Sequence, residues 1–87
     1  MAIKGMDVEG GTQAAQAFAR GAQEIEQFGA QYTQVMNGWE WTGADAERIR
    51  QTWEDQHMNN LRQVSQALEG FSQLINQQAQ EQEQVSS

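Results

Sequence analysis

Two long segments that repeat their apolar residues in steps of seven, with one glycine-bounded break between them, constrain the fold most strongly. In the first segment the residues of this stripe alternate at spacings of four and three: Ala14, Phe18, Gly21, Ile25, Phe28, Tyr32, Val35 and Trp39. Such spacing places the stripe on one face of an α-helix that packs against other helices. It predicts a helix over residues 12–38, in which Thr12 is the N-cap.

The second segment carries the same kind of stripe with one irregularity. Its apolar residues are Ala46, Ile49, Trp53, Leu61, Val64, Leu68, Phe71 and Ile75. Between Trp53 and Leu61, His57 and Met58 occupy a stretch of fours that resembles a stutter in the repeat. A helix is predicted over residues 44–82, with Thr42 as its N-cap and Asp45 in a capping-box-like position.

The break itself, residues 39–43 after Asn37-Gly38, is predicted to be the turn of a helical hairpin. Asn-Gly is a common helix C-terminal signal, and a connection this short makes the two helices antiparallel neighbours. We expect Trp39 and Trp41 to pack at the tip of the hairpin. The flanking segments lack the stripe, so residues 1–11 are predicted to be a flexible leader and residues 83–87 a disordered tail.

Charge and composition exclude several functional classes. The formal net charge is −7, which disfavours binding to nucleic acid and to an anionic membrane surface. The chain has no cysteine, so disulfides and thiolate metal sites are excluded. No run of about 18 apolar residues is present for a membrane span, and the first residues lack the apolar core of a secretory signal peptide.

No residue pattern indicates catalysis or a cofactor. His57 is the single histidine, without a second histidine or a cysteine one turn away, so we interpret it as a helix-surface residue. The carboxylate pairs, such as Glu24 with Glu26, are too close in sequence to face one another on a helix. We therefore predict a non-enzymatic protein with no cofactor and no bound metal.

Two helices cannot enclose a core, and the bulky residues of both stripes would stay partly wet in a monomer. The natural solution is a second hairpin, which predicts an all-α fold: an antiparallel helix-turn-helix hairpin that dimerises into a four-helix bundle. The residues expected at the hairpin and dimer interfaces are Phe18, Ile25, Phe28, Tyr32, Val35, Ile49, Trp53, Leu61, Val64, Leu68, Phe71 and Ile75.

With Trp41-Thr42-Gly43 at the bend between two heptad-patterned helices, the chain resembles the WXG family, the small ESAT-like hairpin proteins of type VII (ESX) secretion systems. The resemblance covers about residues 7–84. It implies that Trp41 packs at the tip and that Gly43 permits the tight turn; Trp39 has no counterpart in the motif. It further implies a non-enzymatic secretion substrate or its dimer partner subunit, folded in the cytoplasm and exported by a non-Sec route.

One departure from the family pattern bears on the partner. Many family members carry a Y-x-x-x-D/E export signal just after the second helix, whereas the only tyrosine here is Tyr32, in the first helix. If export occurs, the resemblance implies that the signal to the secretion ATPase is supplied by the partner chain. That favours a heterodimer with another WXG-type hairpin, and a homodimer remains open.

Two functions of other classes remain open. One is a cytosolic adaptor, or chaperone-like subunit, that holds a helical segment of a larger secreted toxin; the missing tail signal favours it slightly. The other is a membrane-active effector whose hairpin opens to bury its apolar stripe in lipid. The negative charge weighs against membrane contact.

Overall fold

The computed structural model describes residues 5–86, and the side chains of residues 5–84 within that range. Its elements are the helix α1 (Val8–Asn37), the helix α2 (Ala44–Thr52), a π-helical segment (Trp53–Met58) and the helix α3 (Asn59–Ser86). The last three form one continuous arm that returns antiparallel to α1. Within the described residues the fold is all-helical and without strands, as predicted.

The hairpin is long and thin. It measures 70 × 17 × 16 Å, and its radius of gyration is 19.7 Å. A compact domain of this length has a radius of gyration of about 12 Å. One layer of two helices therefore leaves much of the chain's apolar surface without cover.

Both helical arms are longer than the sequence predicts. Helix α1 begins at Val8 with Asp7 as N-cap, and the Gly11 amide donates to the Asp7 carbonyl at 2.8 Å. The predicted start after Thr12 is thus corrected, because the helix runs through Gly10 and Gly11. At the other end α3 continues to Ser86, beyond the predicted limit at residue 82. The parts of the predicted leader and tail at residues 1–4 and 87 lie outside the described residues.

The second arm starts at the bend glycine. The N-cap of α2 is Gly43, not Thr42, and the Glu47 amide donates to the Gly43 carbonyl at 3.1 Å. The predicted capping box is corrected as well, because the Asp45 carboxylate accepts from Arg48 at 2.9 Å and no side chain caps α2. Backbone geometry accounts for the start of the arm, since Gly43 has φ +112° and ψ 176°, a region almost reserved for glycine.

A line of small residues joins α1 to α3, and we call it the small-residue seam. It consists of Ala15, Ala22, Gly29, Ser65, Ser72 and Ala79, all buried. The Ser65 hydroxyl donates to the Ala22 carbonyl at 3.0 Å, and the Ser72 hydroxyl donates to the Ala15 carbonyl at 2.6 Å. Because a serine side chain is short, these bonds to backbone atoms of the facing helix require the two backbones to lie close together.

The core is correspondingly made of small side chains. In the described part of the chain no large side chain is fully buried, and the buried apolar residues are the alanines Ala15, Ala22, Ala46 and Ala79. Each step of seven along α3, from Ser65 to Ser72, is matched by a step of seven back along α1, from Ala22 to Ala15. The seam thus fixes the register of the hairpin.

The π-helical segment lies where the sequence shows an irregular repeat. Trp53 and Leu61 are one residue further apart than a heptad allows, and the π-helical segment Trp53–Met58 falls between them. A π-turn holds one more residue than an α-turn, so it absorbs the extra residue while the flanking stripes stay on one face. The segment is therefore an adjustment of register within one arm.

Candidate partner-binding face and hairpin bend

One broad side of the hairpin carries most of the large apolar side chains, and we call it the apolar face. It consists of Phe18, Ile25, Phe28, Tyr32 and Val35 from α1 with Leu61, Val64, Leu68, Phe71 and Ile75 from α3. The rings of Phe18 and Phe71 meet edge to face with centroids 5.1 Å apart, which places the two stripes on the same side. Helical periodicity of 100° per residue puts the remaining members beside them.

The apolar face is only half covered. Phe28 is 50% exposed, Phe71 49% and Val64 46%, and Val35 and Tyr32 are also exposed. The accessible surface of the chain is 6634 Å², against roughly 5,200 Å² for a compact monomer of this mass. Neighbouring exposed apolar side chains of this kind are a feature of protein interfaces.

Two of the predicted interface residues lie nearer the bend. Ile49 is on α2 and 44% exposed. Trp53 is at the start of the π-helical segment, where its indole Nε1 donates to the Thr33 hydroxyl at 2.8 Å. That hydrogen bond joins the two arms just below the bend, so Trp53 acts within the hairpin in the single chain.

Arg50 holds the bend together. Its guanidinium donates to three backbone carbonyls, those of Met36 at 2.9 Å, Trp41 at 2.8 Å and Trp39 at 3.3 Å. The Met36 carbonyl lies in the last turn of α1, where the helix dipole favours a cation. One side chain of α2 thereby caps α1 and fixes the path of the connection.

The two bend tryptophans differ in their surroundings. Their rings lie 5.1 Å apart at 31°, and the Arg50 guanidinium lies 5.8 Å from the centroid of the Trp41 ring. Trp41 is half-buried, whereas Trp39 is 53% exposed. The Trp39 ring thus covers one side of the Trp41 ring, and the opposite side of the Trp39 ring is exposed to solvent.

Several polar side chains of the described residues are engaged in structural contacts. The Ser65 and Ser72 hydroxyls donate to backbone carbonyls within the small-residue seam. Glu54 is paired with Arg62 at 3.0 Å. Among the described residues no three carboxylate or histidine groups converge on a possible metal position. No helix in the described part of the chain has the length and apolarity to cross a bilayer.

Sequence reasoning missed the seam residues and Arg50. The signal for the seam was present, because Ala15, Ala22 and Gly29 repeat every seven residues, as do Ser65, Ser72 and Ala79. It was hidden by the bulkier stripe beside it. Arg50 carries no such signal, since its role depends on three carbonyls that only the folded bend brings together.

A comparison with protein-family models, curated proteins and solved structures finds no match to this chain.

Proposed function

We propose that this chain is a non-enzymatic subunit of a helical dimer that is exported, folded, by a type VII (ESX) secretion system. It is either the secretion substrate or the partner of one. The apolar face is the surface that a second hairpin covers, which completes a four-helix bundle. Recognition by the secretion ATPase then depends on the assembled dimer.

The observation that carries this proposal is that the small-residue seam joins the two helices, whereas the apolar face is left exposed. The hairpin closes on itself through Ala22 and Ser65, whose contact is backbone-close. Its large residues, such as Phe28 and Phe71, are left half exposed on one side. In a stable monomer those rings would be buried between the two helices, whereas in a dimer subunit they are buried against the partner.

The resemblance of Trp41-Thr42-Gly43 to the W-x-G motif supports the secretion part of the proposal. In the folded bend, Gly43 has the positive φ that begins the second arm, and Trp41 is packed beside Trp39 and Arg50. These positions are compatible with the roles that the resemblance implies for the two residues.

Export is tested by expressing the chain in a bacterium that has a type VII system, with and without its secretion ATPase. We expect the chain in the culture medium only when the ATPase is present, with a cytoplasmic marker protein as the lysis control. Release that does not depend on the ATPase would overturn the secretion proposal. Retention in the cytosol in complex with a larger protein would instead identify the adaptor function.

A further inference from the structure

We propose that the Asn37-Gly38 pair at the end of α1 is a site of spontaneous chemical modification, at which the Asn37 carboxamide is converted to the carboxylate of aspartate or isoaspartate. The hydrogen bonds of Arg50 on either side of the pair set the rate of this conversion. The inference is independent of the proposed function, because it concerns the bend of the single chain. Water is the only co-reactant.

Both reacting groups are exposed and weakly held. Asn37 and Gly38 are exposed at the start of the bend, and within the described residues the Asn37 carboxamide makes no hydrogen bond. The Gly38 amide donates to the Val35 carbonyl at 3.3 Å, beyond the range of about 2.7–3.2 Å for a normal N–H···O bond. The carboxamide is therefore free to rotate, and the amide nitrogen beside it has only a weak bond to lose.

The fold requires a glycine at the position that makes the reaction possible. A Cβ on Gly38 would lie 2.7 Å from the Gln34 carbonyl oxygen, which is closer than van der Waals contact permits. The end of α1 therefore excludes any side chain there. Because glycine has no Cβ, its nitrogen is also open to approach by the preceding carboxamide. The structural demand for Gly38 and the reactivity of Asn37 thus have one origin.

The reaction passes through an imide ring. The Gly38 nitrogen, once deprotonated, attacks Cγ of Asn37; a new N–C bond forms, and the side-chain nitrogen takes up a proton and leaves as ammonia. Water then opens the ring. Addition of water at Cγ gives aspartate, and addition at the main-chain carbonyl of Asn37 gives isoaspartate, in which the chain runs through Cβ. The sum is one water consumed and one ammonia released.

Arg50 opposes ring closure in the folded chain. Closure rotates Asn37 about its Cα–C bond out of the helical conformation, and the residues that follow move with it. The Arg50 Nε donates to the Met36 carbonyl at 2.9 Å, before the pair, and its Nη2 donates to the Trp39 carbonyl at 3.3 Å, after the pair. The ring therefore closes only when the bend opens locally. Since the reaction is slow compared with such openings, its rate follows the population of the open bend.

The product weakens the contacts that protect the site. Asn37 and Arg50 line the same cavity below the bend, of about 380 Å³, together with two glutamates. A carboxylate accepts from a guanidinium more strongly than a carbonyl does, so the new carboxylate competes with the Met36 and Trp39 carbonyls for Arg50. It also places a negative charge at the C-terminus of α1, where the helix dipole disfavours one. In isoaspartate the longer main chain shifts these carbonyls further.

Peptide mapping of the full chain tests the site. After weeks of storage at mildly alkaline pH, trypsin cleavage at the arginines leaves Asn37 as the single asparagine of the fragment 21–48. Asn59 and Asn60 lie in the fragment 51–62, and Asn76 lies in the fragment that starts at residue 63. We expect amide-to-acid conversion by mass spectrometry, and labelling by an isoaspartyl methyltransferase, in the fragment 21–48 alone. N37Q is the control and stays unmodified at this position, because its longer side chain would close a larger ring.

Arginine variants test the protection. R50M is expected to convert Asn37 on the order of tenfold faster than wild type, the effect of losing hydrogen bonds to a charged group. R50K is expected to be intermediate, and R48M unchanged. Wild type in urea gives the rate of the unprotected pair, and folded wild type is expected to be slower. Circular dichroism checks the helix content, and R50K carries the comparison if R50M unfolds. Equal rates in wild type and in both Arg50 variants overturn the role of Arg50, and an unmodified Asn37 in urea overturns the site.

N37D tests the effect of the product. Amide hydrogen exchange in the connection, residues 38–43, is expected to be about threefold faster in N37D than in wild type, the effect of a carboxylate at a helix C-terminus. N37Q is expected to exchange as wild type does. Exchange in N37D as slow as in N37Q would overturn the loosening of the bend by the product.

Discussion

In the open half of the hairpin, from Ala15 to Gly29 and back from Ser65 to Ala79, the two helices touch through small residues. In the bend half the two arms are joined by long side chains, Arg50 and Trp53, which cross the gap to polar atoms of the facing helix. The first arrangement depends on shape, because any added atom pushes the backbones apart. The second depends on hydrogen bonds, and it tolerates the extra residue of the π-helical segment.

Single-residue deletions separate the two halves most sharply. Deleting Gln63 from α3 rotates every residue on one side of it by about 100° and breaks the register of the seam. We expect a loss on the order of 4 kcal/mol in the free energy of unfolding. Deleting Gln56 from the π-helical segment restores an α-turn with both flanks in place, so stability is expected to stay within about 1 kcal/mol. Urea unfolding at fixed chain concentration measures both; equal losses would contradict this account of the segment.

Overpacking the seam is the next largest effect. Ala22 is 3% exposed, and its carbonyl accepts the Ser65 hydroxyl. A22L has no room for its side chain and is expected to cost about 3 kcal/mol. The control is A30L on the same helix, at an exposed position, where a change within about 0.5 kcal/mol is expected. If A22L loses little stability in thermal or urea melts, the two helices are not in close contact at this residue.

Removing Arg50 tests the bend half. R50M loses the three bonds to backbone carbonyls and is expected to cost about 2 kcal/mol, the range for hydrogen bonds to a charged group. R50K keeps the charge without the planar fork and should recover only part of the loss. R48M is the matched control in the same helix, because Arg48 makes an exposed ion pair with Asp45. Such a pair contributes less than about 1 kcal/mol. Similar losses of stability in R50M and R48M would show that the Arg50 hydrogen bonds do not stabilise the bend.

The bend glycine has a smaller effect of a different origin. A Cβ on Gly43 meets no atom within 4 Å, yet the residue has φ +112°. G43A is therefore expected to cost about 1–2 kcal/mol through backbone strain alone, and G43V somewhat more. T42A is expected to change little, because α2 has no side-chain cap. If T42A proved the more damaging in urea unfolding, Thr42 would be the true N-cap.

The seam hydrogen bonds give the smallest effect. S72A removes the bond to the Ala15 carbonyl without changing the close contact, and it is expected to cost about 1 kcal/mol. The exposed neighbour Gln73 supplies the control Q73A, with no loss expected. Calorimetry measures the stability of both variants. An S72A protein as stable as wild type would show that the small size of the seam side chains alone holds the two helices together in this half.

Much of the architecture followed from the sequence. The heptad stripes predicted two helical arms, the glycine-bounded break predicted the bend, and the irregular spacing between Trp53 and Leu61 marked the π-helical segment. The helix ends at Val8 and Ser86 were not predicted. Gly10-Gly11 weakens the local preference for helix, and the end of α3 lacks the apolar stripe on which the prediction rested, although its glutamines favour helix. Of the candidate site, the residues of the apolar face and their partial exposure were predicted from the sequence, whereas the small-residue seam beside them was not.

What the sequence determined by itself was periodicity, since 100° per residue assigns each side chain to a face of its helix. What only the tertiary structure decided was which face closes the hairpin. Two repeats of seven run side by side, and the small one, with Ala22 and Ser65, lies inside. The large one, with Phe28 and Phe71, remains half exposed. Spacing cannot choose between them, because the choice depends on how closely two backbones approach, and that distance exists only in the folded pair.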